Sequence, residues 1–290
     1  MKFKNKNLQG FTLLEMAIVL IILGFVLGAL LLPLQAQRNQ LSQSQTENTL
    51  ELAKKALLGF AQQYGRLPCP ATALSNIDAG SRGQEDPLGG THNITPPTPA
   101  VPTCVAQSGF LPAATLGLQP TDQYGFALDA WNNRIRYAIT NDNSSNLAEP
   151  YDDPATNAFD IIRTVDGSHP ACGGDSAPDF TTTNNLSFVG LSCLAPTLKV
   201  CKSSSAIDCT NSIYLTNNAV TVIYSTGANG SLLDTEVGVD EVANKTATTT
   251  FYSREPTAKT LAPSNEFDDM VVWISPYTLY NAMIEAGQLH

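Results

Sequence analysis

Between residues 7 and 34 the chain reads NLQGFTLLEMAIVLIILGFVLGALLLPL, an apolar run with one charged residue, Glu15. Its central part, residues 11–32, is 22 residues long. As a helix this is enough to cross the roughly 30 Å of hydrocarbon in a bilayer. A carboxylate in such a segment costs on the order of 2 to 4 kcal/mol unless a partner compensates it. The run therefore predicts a transmembrane helix in which Glu15 has a specific purpose.

The segment before the apolar run is short and basic. Residues 1–10 contain Lys2, Lys4 and Lys6 and no acidic residue, so the positive-inside rule keeps this end cytoplasmic and sends the C-terminus outward. A cleaved secretory signal peptide fits poorly, because the apolar run is longer than usual and no Ala-x-Ala-like site follows it. An ordinary signal anchor stays open on composition alone.

The junction at residues 10–15, GFTLLE, resembles the type IV prepilin cleavage motif, which pilins share with the pseudopilins of type II secretion systems. The resemblance implies that prepilin peptidase cuts between Gly10 and Phe11, so that residues 1–10 are a leader and the new N-terminus is methylated. Glu15 becomes the fifth mature residue, where the family carries its acid. In a fibre of packed helices, its carboxylate can pair with the α-amino group of a neighbouring subunit, and low dielectric strengthens that pair.

The helical pattern continues beyond the apolar run. From Leu50 onward, apolar residues return at spacings of three and four. These residues are Leu50, Ala53, Leu57, Phe60, Ala61 and Tyr64. The membrane helix is therefore expected to continue as an amphipathic helix to about Tyr64. The resulting organisation is a basic leader at 1–10, a transmembrane half-helix at 11–32, an amphipathic half-helix at 33–65 and a periplasmic or extracellular globular head at 66–290.

The head contains strand patterns separated by turns. Residues 71–112 are rich in Gly, Pro, Ser and Thr and are predicted to form a long loop. Beyond this loop, Ile135, Tyr137 and Ile139 alternate as in a half-buried strand. Further strands are expected at 158–165, 186–191, 199–202, 219–225 and 270–274.

The chain ends in a segment with the features of a short helix. Pro276 stands at its start, and Leu279, Met283 and Ile284 are predicted to share one face. The order of elements predicts an α+β fold, with a long N-terminal helix packed on a mostly antiparallel β-sheet that carries large loop insertions. The pilin resemblance implies the same plan.

All six cysteines lie beyond the apolar run, on the side of the membrane where disulfides persist. Sequence leaves many pairings open. Pairing of neighbours predicts Cys69 with Cys104, Cys172 with Cys193, and Cys201 with Cys209. Zinc ligation is the competing interpretation, but the chain has no Cys-x-x-Cys pattern.

The charge balance disfavours a nucleic-acid partner. The chain has 16 Lys plus Arg against 26 Asp plus Glu, a net charge of −10, and loss of the three leader lysines gives −13. No run of Lys or Arg is present, so the bulk field repels polyanions.

Catalytic patterns such as Gly-x-Ser-x-Gly, His-Glu-x-x-His and a phosphate-binding glycine loop are absent from the sequence, so neither an enzyme nor a required cofactor is expected. Calcium is the one ion considered, because it takes six to eight oxygen ligands from loops. Major pseudopilins bind calcium in a loop near the C-terminal sheet, so the resemblance points to the 234–241 loop with Asp268. The candidate ligands are Asp234, Asp240, Glu241 and Asp268. A solvated acidic surface is the alternative.

Three functions remain open. The first is a pseudopilin of a type II secretion system, and the second is a minor pilin of a type IV pilus. A large, loop-rich head with six cysteines favours a minor or tip subunit. The third is a membrane-anchored periplasmic binding or adhesin module that does not polymerise, in which Glu15 has no evident purpose.

The filament interpretations imply a common set of partners and a common location. The partners are prepilin peptidase, other pilin or pseudopilin subunits, an inner-membrane assembly platform and membrane lipid. The subunit is expected in the inner membrane as a single-pass protein with its head in the periplasm. In an assembled filament it would lie in the periplasm or at the cell surface.

Overall fold

The computed structural model describes residues 12–64, 67–72, 83–86, 104, 106–140, 196, 198–202, 209, 214–247, 249–257 and 266–287. The chain divides into two compact units, Met1–Gln45 and Thr46–His290. The predicted strands at 158–165 and 186–191 lie outside the described residues, as do Cys172 and Cys193.

The first helix, α1, spans Leu13–Tyr64, so the predicted end at Tyr64 is confirmed. In the second unit, five of the six apolar residues that repeat at three and four are buried, and Tyr64 is half-buried. In the first unit, apolar side chains of α1 are exposed, with Leu13 at 93% and Phe25 at 77%. Burial of one face therefore stabilises the C-terminal part of α1, where the amphipathic pattern is found.

Among the residues that were placed, no helix has both the length and the apolar character needed to cross a bilayer. The membrane-spanning segment at 11–32 stays a prediction.

The second unit adds short elements around two sheets. In chain order the described elements are β1 (Ser108–Phe110), α2 (Ala113–Leu116), β2 (Arg136–Ile139), β3 (Leu198–Cys201), β4 (Tyr214–Ala219), β5 (Thr221–Ser225), α3 (Val239–Thr246), β6 (Thr250–Tyr252), β7 (Met270–Ile274) and α4 (Pro276–Glu285).

The larger sheet has the order β1-β2-β5-β7 and is antiparallel throughout. Successive residues of a strand point to opposite faces. One face, with Tyr137, Ile223 and Ile274, joins the cluster that contains Leu50 and Leu57 of α1.

The opposite face of the larger sheet packs on the smaller sheet, whose order is β4-β3-β6. Ala138, Val222 and Tyr224 of the larger sheet share a cluster with Val200 and Phe251 of the smaller one. Strand β5 is central and covered on both faces, and therefore all five of its residues are buried. The head is thus three layers deep: α1, the larger sheet and the smaller sheet.

The α+β prediction is confirmed, with some differences in detail. The smaller sheet is mixed, because β3 pairs parallel with β6. The predicted strand 219–225 is divided at Val220 between β4 and β5, which belong to different sheets. In α4, Leu279 and Met283 are buried as predicted, but Ile284 is half exposed and Ala282 is buried in its place.

Two of the three predicted disulfides are confirmed. Cys69 bonds to Cys104 and Cys201 bonds to Cys209, with Cα atoms 5.3 and 5.9 Å apart. The Cys69–Cys104 bond lies in the cluster that packs on α1. The pair Cys172 and Cys193 lies outside the described residues and stays a prediction.

Candidate functional site

The structure describes two places that bear on function: the start of α1 and an acidic cluster in the head. At the first, Gly10 and Phe11 lie outside the described residues, and the description begins at Thr12. Thr12 precedes the first helical residue, Leu13, and is therefore the N-cap of α1. Glu15 is the third residue of the helix.

Thr12 and Glu15 form a reciprocal cap at this helix start. The Thr12 backbone N–H and hydroxyl donate to Glu15 Oε2 at 2.9 and 3.0 Å, and the Glu15 N–H donates to the Thr12 hydroxyl at 3.3 Å. This is the capping box of a Thr-x-x-Glu sequence. The carboxylate of Glu15 thus satisfies an otherwise unpaired helix N–H within its own chain.

The acidic cluster is formed by Glu241, Asp268 and Asp269, each of which offers a carboxylate oxygen within 4.8 Å of the others. Glu241 lies in the first turn of α3, and the two aspartates directly precede β7. Glu241 and Asp269 are buried, and Asp268 is half-buried. Three acids are therefore concentrated where two distant parts of the chain meet.

Backbone and amide donors hold Glu241 in place. Its Oε2 accepts from the Gly238 N–H at 2.7 Å and from Asn229 Nδ2 at 2.9 Å, and its Oε1 accepts from the Asp268 N–H at 2.7 Å. The Gly238 bond caps the N-terminus of α3. Asn229 enters from the turn after β5, so a third segment contributes to the cluster.

Each aspartate has one bonded and one unbonded oxygen. Asp268 Oδ2 accepts from the Ala228 N–H at 3.0 Å, and Asp269 Oδ2 accepts from Asn244 Nδ2 at 2.8 Å. The other oxygens, Asp268 Oδ1 and Asp269 Oδ1, are buried and make no hydrogen bond to the described residues. Buried acceptors without a donor are costly, which makes them uncommon.

The environment of the cluster disfavours full ionisation. Burial, and then the charge of Glu241, raise the pKa of Asp268 to about 7. Burial raises the pKa of Asp269 well above its ordinary value. Three neighbouring carboxylates require either bound protons or a positive counter-charge.

The structure brings together two of the four predicted calcium ligands, Glu241 and Asp268. The other two form ion pairs: Asp240 with Arg254 at 2.7 Å and the exposed Asp234 with Lys245 at 3.6 Å. The 234–241 segment is also not entirely a loop, because Asp240 and Glu241 belong to α3.

Sequence reasoning missed Thr12, Asn229 and Asp269. The Thr-x-x-Glu spacing was a usable signal for the cap. For Asn229 no local signal exists, because it is brought to the cluster by the turn after β5. Asp269 directly follows the predicted ligand Asp268. Consecutive residues of an extended chain point to opposite sides, so the sequence did not indicate that both carboxylates would reach the same site.

The comparisons with known proteins bear on the N-terminus. A family model, the prokaryotic N-terminal methylation motif, matches residues 5–31. No curated protein and no solved structure gives a significant match. The match covers Gly10, Phe11 and the Thr12–Glu15 cap, and the chain therefore carries the type IV prepilin-like signal of a pilin-like precursor.

Proposed function

We propose that the protein is a non-enzymatic subunit of a type IV filament, cleaved by prepilin peptidase and assembled through α1. The observation that carries the proposal is the methylation motif at residues 5–31. Cleavage after Gly10 would free an α-amino group at Phe11, four residues before Glu15. A subunit of this kind is anchored in the inner membrane until it joins the filament.

The geometry of α1 supports assembly through this helix. The apolar side chains that the structure describes in the first unit, such as Leu13 and Phe25, are exposed, and exposed apolar surface of this kind is typical of a surface that contacts lipid or protein. The Glu15 carboxylate is held at the helix start by Thr12. A neighbour's ammonium group could share the same oxygen, since a carboxylate oxygen accepts more than one hydrogen bond.

We further propose a minor or tip position, in a pseudopilus or a type IV pilus. Support comes from the layered head, in which a second sheet covers the face of the first that points away from α1. Such a head is large for a subunit that must pack densely along a fibre.

Processing of the full chain tests this proposal. The chain is expressed with prepilin peptidase, and its N-terminus is compared with that of a Gly10→Leu variant. We expect the peptidase to shorten the natural chain and leave the variant at full length, because the subsite at the cut admits only a small side chain. A variant cut to the same length would contradict the proposal.

A second proposal concerns the acidic cluster, which we infer to be a site for a divalent cation such as calcium. The observation that favours it is the convergence of three carboxylates within 4.8 Å, two of them buried. The donor set fits, because calcium binds carboxylate and amide oxygens. A bound cation would supply the missing counter-charge, and Glu241, Asp268 and Asp269 would hold it.

Calorimetric titration of the full chain, purified in detergent, tests the cation site. Calcium is expected to bind and to raise the unfolding temperature, because it binds the folded chain alone. Magnesium serves as the comparison ion. If neither ion releases heat or shifts the unfolding temperature, the cluster is only an acidic patch.

A further inference from the structure

Three oxygen atoms around the acidic cluster have no hydrogen-bond donor among the described residues: Asn229 Oδ1, Asp268 Oδ1 and Asp269 Oδ1. All three atoms are buried, and the Asn229 and Asp269 residues are only 6% and 4% exposed. Amide and carboxylate oxygens are strong acceptors that seldom stay unpaired in a protein interior. Two of them belong to acids of the cluster, and the third belongs to Asn229, which is hydrogen-bonded to Glu241.

Asn229 is oriented toward Glu241 by its own amide group. Its Nδ2 donates to Glu241 Oε2 at 2.9 Å, and its unpaired Oδ1 belongs to the same small planar group. Asn229 is therefore fixed beside the acids, with an oxygen left over.

Asp269 is fixed in the same manner. Its Oδ2 accepts from Asn244 Nδ2 at 2.8 Å, and Asn244 is itself anchored by bonds to Tyr252. The second oxygen, Oδ1, stays without a donor. One oxygen of each side chain therefore holds the residue in position, while the other is available.

Glu241 differs from these residues, because both of its oxygens already accept hydrogen bonds from Gly238, Asn229 and Asp268. It can contribute charge and a shared oxygen to a cation, and its bonds also hold the three segments of the cluster together. The available ligand atoms are therefore concentrated in the other three residues.

We propose that Asn229 and Asp269 are direct ligands of a hard divalent cation, together with Asp268, and that Asp234 and Asp240 are not. This rests on the proposed cation site and adds ligands that the acidic pattern of the sequence did not predict. The site then joins the turn after β5, the start of α3 and the approach to β7. Asp234 and Asp240 are excluded because Lys245 and Arg254 already neutralise them.

The test measures calcium affinity and the calcium-induced rise in unfolding temperature for the full chain and three variants. Asn229→Ala and Asp269→Asn each remove a proposed ligand oxygen or its charge. Asp234→Asn is the matched control, since it removes a predicted carboxylate outside the cluster. We expect the first two to weaken calcium binding at least about tenfold, and the control to bind as the natural chain does.

The outcomes separate this inference from the cation site itself. If the natural chain binds no calcium, the proposed cation site fails. If it binds calcium and both cluster variants bind within about twofold of it, or if Asp234→Asn weakens binding as much as they do, the ligand assignment is wrong.

A fourth variant, Asn229→Asp, keeps the test decisive if Asn229→Ala does not fold. It retains an oxygen and adds a negative charge, so its unfolding temperature should rise more with calcium than that of the natural chain. In chelator, its unfolding temperature should be lower than that of the natural chain, because a fourth acid joins the cluster. An equal or smaller calcium response would overturn the assignment of Asn229.

Discussion

Thr12 and Glu15 are joined by three hydrogen bonds at the start of α1, and two of them end on the same oxygen, Glu15 Oε2. The carboxylate therefore has a structural task within its own chain before any neighbour is present. Its Oε2 accepts from the Thr12 backbone N–H, a donor that has no intrahelical partner at the start of the helix. The acid thus has two separable properties: its hydrogen-bonding oxygen and its charge.

Glu15→Gln separates these two properties. The amide oxygen of Gln can still accept from Thr12, so the helix cap is retained, while the charge needed to pair with a neighbour's ammonium is lost. We expect Glu15→Gln to be processed normally but to enter filaments as poorly as Glu15→Val. Filament incorporation is measured in sheared surface or periplasmic fractions. Full incorporation of Gln with loss of Val would show that capping alone is the role of Glu15.

Gly227 is required by the turn that approaches the acidic cluster. Its φ is +63°, and a Cβ there would collide with Asp268 Oδ1. We expect Gly227→Ala to lower the free energy of unfolding by about 1 to 3 kcal/mol and to weaken calcium binding. Gly117→Ala is the control, because Gly117 has a similar φ of +67° and open space around it. Denaturant unfolding of both variants measures the difference. Equal losses of unfolding free energy would show that the close approach of Asp268 to Gly227 is not the cause.

The two described disulfides should differ in their contribution to stability. The Cys69–Cys104 bond closes 35 residues and the Cys201–Cys209 bond closes 8. The loop-entropy relation gives about 4 kcal/mol for the first and about 2.5 kcal/mol for the second. Paired Cys→Ala substitutions, compared by denaturant unfolding, measure both. A larger loss from the shorter loop would contradict this order.

The acidic cluster predicts a pH dependence in the absence of calcium. The folded-state pKa of Asp268 is raised to about 7, and that of Asp269 is also raised, above the ordinary value of 3.8. Protonation of Asp268 therefore stabilises the fold fully below about pH 4, and this contribution is lost as pH rises through about 7. The raised pKa of Asp269 acts in the same direction.

In chelator, the natural chain should lose stability between pH 5 and pH 8 relative to an Asp268→Asn/Asp269→Asn variant. Measuring the difference between the two chains cancels the acids elsewhere in the protein. Unfolding temperatures recorded across this range provide the comparison. A constant difference would mean that the cluster does not titrate there.

Elements with strong local patterns could be predicted from the sequence. The three-and-four spacing that begins at Leu50 places the buried face of α1 correctly, and the apolar run at 270–274 coincides with β7. In α1 the buried face follows from the sequence period, because one partner covers one face. In β7 the run is apolar throughout, because its residues contact the clusters on both faces of the larger sheet, although only Ile274 is fully buried.

Other elements depend on tertiary contacts that no local pattern contains. Strand β1 lies at the end of a segment rich in turn residues and forms because Phe110 pairs with Ala71 and with Arg136 of β2. Helix α3 is short and polar, so its sequence fits a loop as well as a helix. The hydrogen bond from the Gly238 N–H to Glu241 Oε2 caps its N-terminus and favours the helix. The cation cluster likewise requires Asn229, Glu241 and Asp269 to meet through the fold.

The N-terminal residue of the mature chain decides whether the protein is a processed pilin-like precursor. The full chain is produced with and without prepilin peptidase, and the mass of its N-terminal peptide is determined. We expect a chain that begins at N-methyl-Phe11 only when the peptidase is present. An intact Met1 in both samples, or a cut beyond Leu32, would contradict it and would favour an ordinary anchor or signal peptide.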